Sequence, residues 1–298
     1  MQDRHDTIRQ GIILFTTCDL GASRMNDLLR LLDSIAEAKC QHGLATRHYI
    51  LLQRASDGVP SVLQVPVDPT VRLLAITERV CLSRARNILL ARALADGVLA
   101  SALWVAFPDD DAWYPTHLLN EVNALFANSA SVDLVTCSYG AEPQILAPGA
   151  GPMAFRPLAG LGELVRTVSS NTLMLRASVV ESIGGFDERL GLGAAINGGE
   201  DLDYTLRACV SHARHVLLSA APLVGHRDRM RWVRSRYFAG SLFALSRGAR
   251  KRPALVVQVM RKLLVGLTLV ALRELSAADL CTCVRTGLSG WRLQPEVS

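Results

Sequence analysis

Trp104-Val105-Ala106-Phe107-Pro108-Asp109-Asp110-Asp111-Ala112-Trp113-Tyr114-Pro115 carries an apolar run (102–107) into three consecutive carboxylates, and a helix-like segment (116–126) follows. A short apolar run closed by a turn signal reads as a buried strand. Three adjacent negative charges repel one another, so a folded chain tolerates them where water, cations or a metal ion screen the repulsion. In an open α/β sheet, a strand that delivers carboxylates to its carboxyl end places them where such sheets bind ligands. Mg²⁺ and Mn²⁺ take oxygen ligands of this kind, usually one or two carboxylates completed by substrate phosphates. A solvated acidic turn ahead of a helix is the competing reading, because acids are common there for dipole reasons alone.

Working outward, strands and helices alternate. Residues 11–17 (Gly-Ile-Ile-Leu-Phe-Thr-Thr) read as a buried first strand, and 23–38 repeat apolar residues at helical spacing with Ser23 as the cap. Residues 47–53 and 71–76 read as strands, 83–95 as a helix and 132–138 as a strand. This alternation argues for a mostly parallel sheet with helices on both faces. Residues 139–162 turn rich in Gly, Pro and Ala and read as a loop or lid. Beyond them come a strand (169–176), a short helix (177–183), a glycine-dotted loop (191–199), a helix (200–211) and a brief strand (216–219). After His226 the alternation stops, and 231–245 and 254–274 read as two helices. The expected organisation is one α/β domain over 1–226 and a basic, apolar helical region over 227–298.

The chain has 298 residues, enough for one large α/β domain or two small ones, and its net charge of +5 is unevenly spread. Residues 227–262 hold nine Arg and two Lys against one acid, a local +10, which leaves −5 for the remainder. Such a split predicts a basic surface for an anionic partner. Few aromatic residues interleave with the arginines and no groove-binding motif occurs, which argues against nucleic acid. The seven cysteines (18, 40, 81, 137, 209, 281, 283) form no CxxC pair and no zinc-ligand spacing, and most read as small buried hydrophobes of a reducing cytoplasm. The first ten residues are polar, with mixed charge and no signal-peptide pattern. Residues 255–272 are strongly apolar but contain Arg261 and Lys262, and their charge-free part, 263–272, is about half of the ~20 residues that a bilayer span needs. A helix lying in the inner membrane interface fits this pattern. Packing of these helices on the domain, or on a second copy in a homo-oligomer, fits it as well.

A second constellation lies downstream: Ser169-Ser-Asn-Thr-Leu-Met-Leu-Arg176, Gly184-Gly-Phe-Asp-Glu188 and Gly198-Gly-Glu-Asp-Leu-Asp203. Here a glycine-rich loop feeds carboxylates into the first turn of a helix, where the dipole favours the ionised form that a general base requires. Phe-Pro-Asp-Asp-Asp-x-x-x-Pro, then Gly-Gly-Phe-Asp-Glu, then Gly-Glu-Asp-x-Asp-x-x-x-Arg together resemble a family 2 glycosyltransferase of the GT-A fold. Leu82-Ser-Arg-Ala-Arg-Asn87 is similar to the Ser-x-x-Arg-Asn helix start of that family, and the resemblance covers residues 10 to 230.

The resemblance implies an inverting, nucleotide-sugar-dependent enzyme. Asp109 and Asp111 would bracket an Asp-x-Asp pattern and, with His226, hold Mg²⁺ or Mn²⁺ against the donor diphosphate. Asp110 would sit near the ribose or the metal. Asp201 would be the general base, with Glu200 and Asp203 supporting it or orienting the acceptor. Arg86 would face the diphosphate, and Thr17, Gln53, Asn87, Asn171 and Gly199 would complete the substrate surface. Two positions depart from the family pattern. Thr16-Thr-Cys-Asp19 replaces a Pro-Thr-Tyr-Asn-like strand end, and Leu51-Leu-Gln53-Arg54 lacks the usual base-reading Asp. Gln53 can still offer a donor and an acceptor to a uracil-like edge, as a UDP-sugar would need. The acceptor would be a saccharide or a lipid-linked saccharide. A nucleotidyltransferase would share the carboxylate–metal logic, although Gly21-Ala-Ser-Arg24 is a poor phosphate loop. A catalytically silent partner subunit of the same fold is the other alternative.

Overall fold

The computed structural model describes residues 11–56, 58–60, 68–227 and 233–292. Eight strands form one sheet: β1 (Ile12–Asp19), β2 (Thr46–Gln53), β3 (Val71–Ala75), β4 (Trp104–Ala106), β5 (Val132–Gly140), β6 (Arg156–Pro157), β7 (Leu173–Arg176) and β8 (His215–Gly225). Their spatial order is β3-β2-β1-β4-β7-β5-β8-β6. The pairs β3-β2, β2-β1, β1-β4 and β5-β8 are parallel, while β7 runs antiparallel to both its neighbours and β6 is antiparallel to β8.

The alternation of side chains along β1 explains the two-sided core. Ile12 and Leu14 pack on one face with α1 (Met25–His42) and α3 (Leu118–Asn128), through Leu28, Leu31, Leu118 and Val122. Ile13 and Phe15 pack on the other face with α2 (Leu82–Ala95), α6 (Ala177–Ile183) and α7 (Glu200–Ser211). A strand apolar on both sides is what a helix-covered sheet requires.

The departures from expectation have local causes. Ser23 does not cap α1: it takes a left-handed φ of 54° after a 3-10 turn, and the helix begins at Met25 without a side-chain cap. Residues 139–162 are mostly irregular, but the buried carboxylate of Glu121 accepts from the amides of Gly149 (2.8 Å) and Gly151 (2.7 Å) and pins the short α4 (Gly151–Ala154). Strand β8 runs well past residue 219, because register shifts against β5 absorb Pro222. Helix α5 (Leu161–Thr167) follows the loop, and α11 (Ala277–Ser289) extends the C-terminal region. All seven cysteines are free; Cys18 and Cys137 are buried, whereas Cys40 and Cys281 are exposed.

The C-terminal helices are α8 (Val233–Arg236), α9 (Phe238–Lys251), α10 (Val256–Ala271) and α11. Phe238, Leu242 and Leu245 of α9 form a third core with Leu202 and Leu206 of α7 and Val259 and Leu269 of α10. These helices therefore build directly onto the helix that carries the second acidic cluster. Pro253–Ala271, with mean hydropathy 1.8, is long and apolar enough to cross a membrane by length and composition alone.

Candidate active site

Strand β4 ends at Ala106, and the next residues emerge at the carboxyl edge of the sheet. Asp109 is oriented by Asn171, whose side-chain oxygen accepts from the Asp109 amide at 2.7 Å. Each of the three carboxylates has a cation beside it, and Arg24 is shared by two, standing 3.5 Å from Asp111 as well as pairing with Asp110. Asp109 meets Arg86 at 3.0 Å, Asp110 meets Arg24 at 2.9 Å, and Asp111 faces His226 Nε2 at 3.0 Å with Arg227 at 3.5 Å. Burial pushes the Asp110 carboxyl up to about 6 despite Arg24. For Asp111, burial is outweighed by His226, Arg24 and Arg227, which bring it down to about 2. Burial opposes a charge on His226, but its pairing with Asp111 wins and raises its pKa.

His226 arrives here by backbone pairing. Gly225 forms a β-bridge with Trp113, the two residues exchanging N–H···O bonds of 2.9 Å. A Cβ on Gly225 would lie 2.0 Å from the Trp113 ring, so only glycine lets the tryptophan cross. The result is a compact donor set: ligand atoms of Asp109, Asp111 and His226 lie within 4.8 Å of one another. Oxygen ligands around Mg²⁺ at 2.0–2.1 Å stand about 3–4 Å apart, so small side-chain movements would close the set on an ion. Two carboxylates plus an imidazole suit Mn²⁺ at least as well as Mg²⁺.

The second cluster faces the same cleft, of about 930 Å³, whose walls include Asp109, Asp110, Asp111, His226, Glu200 and Asp201. Gly198 and Gly199, both at positive φ, bring the chain into α7. Glu200 and Asp201 stand in its first turn, where Asp201 Oδ1 accepts from the Leu202 amide. Burial raises both carboxyls, Glu200 to about 7, with the Asp201 charge adding to the rise for Glu200. Arg86 joins the clusters: one end of its guanidinium pairs with Asp109 and the other stands 3.8 Å from Glu200. It lies 5.2 Å over Phe186, which stacks on Tyr204 of α7 at 3.9 Å.

Solved structures share this architecture. S. aureus TarS 1–349 superposes with a TM-score of 0.61 at 12% identity, over 95% of this chain and 89% of that one. The same protein in complex with UDP-GlcNAc gives 0.59 at 13% identity, with the same coverage. The mannosyltransferase PcManGT from Pyrobaculum calidifontis, in complex with GDP-Man and Mn²⁺, gives 0.57 at 16% identity, over 95% of this chain and 74% of that one. The fold is GT-A. No family profile and no curated protein matches the chain by sequence.

Within this GT-A frame, Thr17, Gln53, Asn171 and Gly199 line the cleft with the carboxylates and His226. Gln53 has only part of its side chain to offer, because its oxygen accepts from the Val80 amide at 2.8 Å. Three other expected residues sit elsewhere. Arg86, expected to face the diphosphate, is buried (2% exposed) beneath the carboxylates it joins and is not among the residues lining the cleft. Asn87 braces the Gly-Gly-Phe-Asp-Glu turn, accepting from the Phe186 amide (2.7 Å) and donating to the Phe186 carbonyl and Glu188 (both 3.0 Å). Asp203 is buried between Arg207 (2.9 Å) and Arg247 (3.3 Å), which ties α9 to α7. Asp19, Arg24 and Arg79 also line the cleft and were not expected there. Asp19 binds Arg54 through both oxygens (2.6 and 2.7 Å), and a 3-10 turn at Leu20–Ala22 replaces any phosphate-cradling loop.

Proposed function

We propose that this chain is a metal-dependent, inverting glycosyltransferase similar to family 2, moving a sugar from a nucleoside-diphosphate sugar to an acceptor hydroxyl. The observation that carries the reading is the convergence of Asp109, Asp111 and His226 with Glu200 and Asp201 on one cleft, bridged from below by a single guanidinium.

Asp109, Asp111 and His226 would hold Mg²⁺ or Mn²⁺, which when bound supplies positive charge to the leaving diphosphate. Arg24 and Arg227, which are 32% and 54% exposed at the side chain, can swing from the carboxylates toward phosphate oxygens as an ion takes their place. Asp201 would remove the acceptor proton at its carboxylate as the new bond forms, which is help typically worth ~10²–10⁴-fold in rate. Glu200 Oε2 is buried with no hydrogen-bond partner among the described residues, so it is free to take a sugar or acceptor hydroxyl. Asn171 and Arg86 keep Asp109 in place. A direct displacement of this kind needs no protein nucleophile, and inversion at the anomeric carbon follows from it.

TarS has been crystallised with UDP-GlcNAc and PcManGT with GDP-Man and Mn²⁺, and the NH₂ of Gln53, whose oxygen is held by the Val80 amide, can donate to a carbonyl of either base, so the donor is a UDP- or GDP-sugar. A panel of UDP- and GDP-sugars with Mn²⁺, read by thermal shift and metal-dependent hydrolysis, tests the reading. One donor should respond; none responding would refute it.

The protein would act at the inner membrane face. Val257, Met260, Leu264 and Leu267 form one face of α10, each more than half exposed, and Lys251 and Arg252 adjoin its start. A span would put Arg261 and Lys262 at mid-bilayer, costing about 2.5–3.5 kcal/mol each, whereas a helix lying flat keeps both out of the hydrocarbon. Co-sedimentation with anionic vesicles should be lost in Leu264→Glu/Leu267→Glu; unchanged sedimentation would count against membrane contact.

A further inference from the structure

Tyr237, just ahead of α9, and Gly240, Phe243 and Arg247 within it recur at intervals of three, three and four, which is one face of a helix. That face meets all three parts of the second constellation. Gly240 lies against the Gly198-Gly199 loop, the Phe243 ring centre stands 5.6 Å from the Arg189 guanidinium, and Arg247 pairs with Asp187 (3.0 Å) and Asp203 (3.3 Å). Leu242 points the other way, into the third core and onto Gly287 of α11.

The Gly240 contact is closer than a side chain would permit. A Cβ at 240 would lie 2.0 Å from the Gly198 carbonyl oxygen and 2.7 Å from that of Asn197, whereas ordinary contact begins at 3.4 Å. Backbone therefore rests on backbone at this crossing. The Gly199 carbonyl accepts from the Asp203 amide at 2.9 Å, which opens the hydrogen-bond ladder of α7. Glu200 and Asp201 are the residues between those two bonded groups, so they move with the Gly198-Gly199 peptide. Arg247 adds a second fixed point through Asp203, and its Nη1 alone reaches both Asp187 and Asp203.

Given the glycosyltransferase reading above, we infer that Gly240 and Arg247 are positioning residues for the proton-accepting step: α9 holds the Gly198-Gly199 peptide and Asp203, and so sets the Glu200 and Asp201 carboxylates against the cleft. The C-terminal helical region is then part of the catalytic unit. Neither Gly240 nor Arg247 lines the cleft, so their loss should slow transfer without weakening donor binding. Misplacing a reacting group by about 1 Å can cost about 10²-fold in rate, and a methyl at 240 demands roughly that movement from backbone on one side or the other.

Variants of the full chain test this: Gly240→Ala, Arg247→Met, Arg247→Lys and, as a control, Leu242→Ala, which hollows the opposite side of α9. Steady-state kinetics with Mn²⁺ and the responding donor are run well below every melting midpoint. We expect kcat to fall about 10²-fold in Gly240→Ala and about tenfold in Arg247→Met, with donor KM within about twofold of wild type in both. Arg247→Lys should return kcat to within about threefold of wild type, because one nitrogen makes all the contacts with the two carboxylates. Leu242→Ala should melt earlier than wild type yet keep kcat within about threefold. Hydrogen exchange of the 198–203 backbone reads the same contact without activity, and should quicken about tenfold in Gly240→Ala but not in Leu242→Ala. Near wild-type kcat in either Gly240→Ala or Arg247→Met, or an equal loss in Leu242→Ala, overturns the inference. Should Gly240→Ala fail to fold, the Arg247→Met loss and its recovery in Arg247→Lys decide it. A failed donor panel alongside the expected exchange result would overturn the glycosyltransferase reading and leave the clamp on the 198–203 turn standing.

Discussion

Replacing Arg86 by Met keeps most of the side-chain volume and removes the charge that joins the two acidic clusters. Arg86 is 2% exposed, with Asp109 at 3.0 Å and Glu200 at 3.8 Å, and it lies over the Phe186 ring. Taking one partner from a buried pair costs about 3–5 kcal/mol, because the remaining charge is left uncompensated. Asp109 is 30% exposed at its side chain, so water recovers part of its share, and the lower end of that range, about 3 kcal/mol, is the expected loss. At about 2–4 °C per kcal/mol for a domain of this size, the melting midpoint should fall by roughly 6–12 °C. A second effect follows from the same geometry. Arg86 lowers the carboxyl pKa of both Glu200 and Asp201, so its removal should move the acidic limb of the pH–rate profile upward. Scanning calorimetry and a pH profile of turnover read both effects. A melting midpoint within about 2 °C of wild type, together with an unmoved acidic limb, would refute the bridging role.

Three further outcomes are expected. In the wild type, the base must be ionised to work and burial raises both carboxyls of the pair, so kcat/KM should fall on an acidic limb lying above the ordinary carboxylate range; a limb within that range would show that neither residue is the base. Asp111→Ala should weaken Mn²⁺-dependent nucleotide binding by about tenfold or more while leaving metal-free binding unchanged, as read by calorimetry with and without a chelator; equal loss in both would remove the metal assignment. Gly199→Ala should destabilise far more than Gly58→Ala: both glycines have φ +82°, but a Cβ at 199 meets the Gly240 carbonyl at 2.3 Å, whereas the space at 58 is open. Similar denaturation midpoints for the two variants would contradict that packing.

Much of this was legible in the sequence for physical reasons. The two-sided apolar pattern of β1, and of the run ending at Phe107, announced a helix-covered sheet, because burial on both faces leaves that signature. The metal-type set of Asp109, Asp111 and His226 came from motif order, and the structure brings those three together. What stayed hidden depends on pairings that have no local period. Arg24 reaches Asp110 across 86 residues, and the spacing of neither segment signals it. Arg86 and Asn87 carry the expected identities but act beneath the cleft, one as a bridge and the other as a brace. Asp203 differs from Asp201 by two positions, which on a helix is enough to turn its carboxylate away from the cleft and onto Arg247. Helix α11 escaped because its inward face relies on small residues such as Gly287, which packs on Leu242, rather than on a strong apolar stripe.

The central claim is that the two acidic clusters divide the work, one holding the donor through a cation and the other taking a proton from the acceptor. Asp201→Asn tests it most directly, because the substitution preserves shape and hydrogen bonding but removes the base. Once the donor panel has named the sugar, nucleotide and Mn²⁺ affinity should stay within about twofold of wild type while transfer falls by ~10²–10⁴-fold. Transfer at near wild-type rate with Asn at 201 would contradict the account.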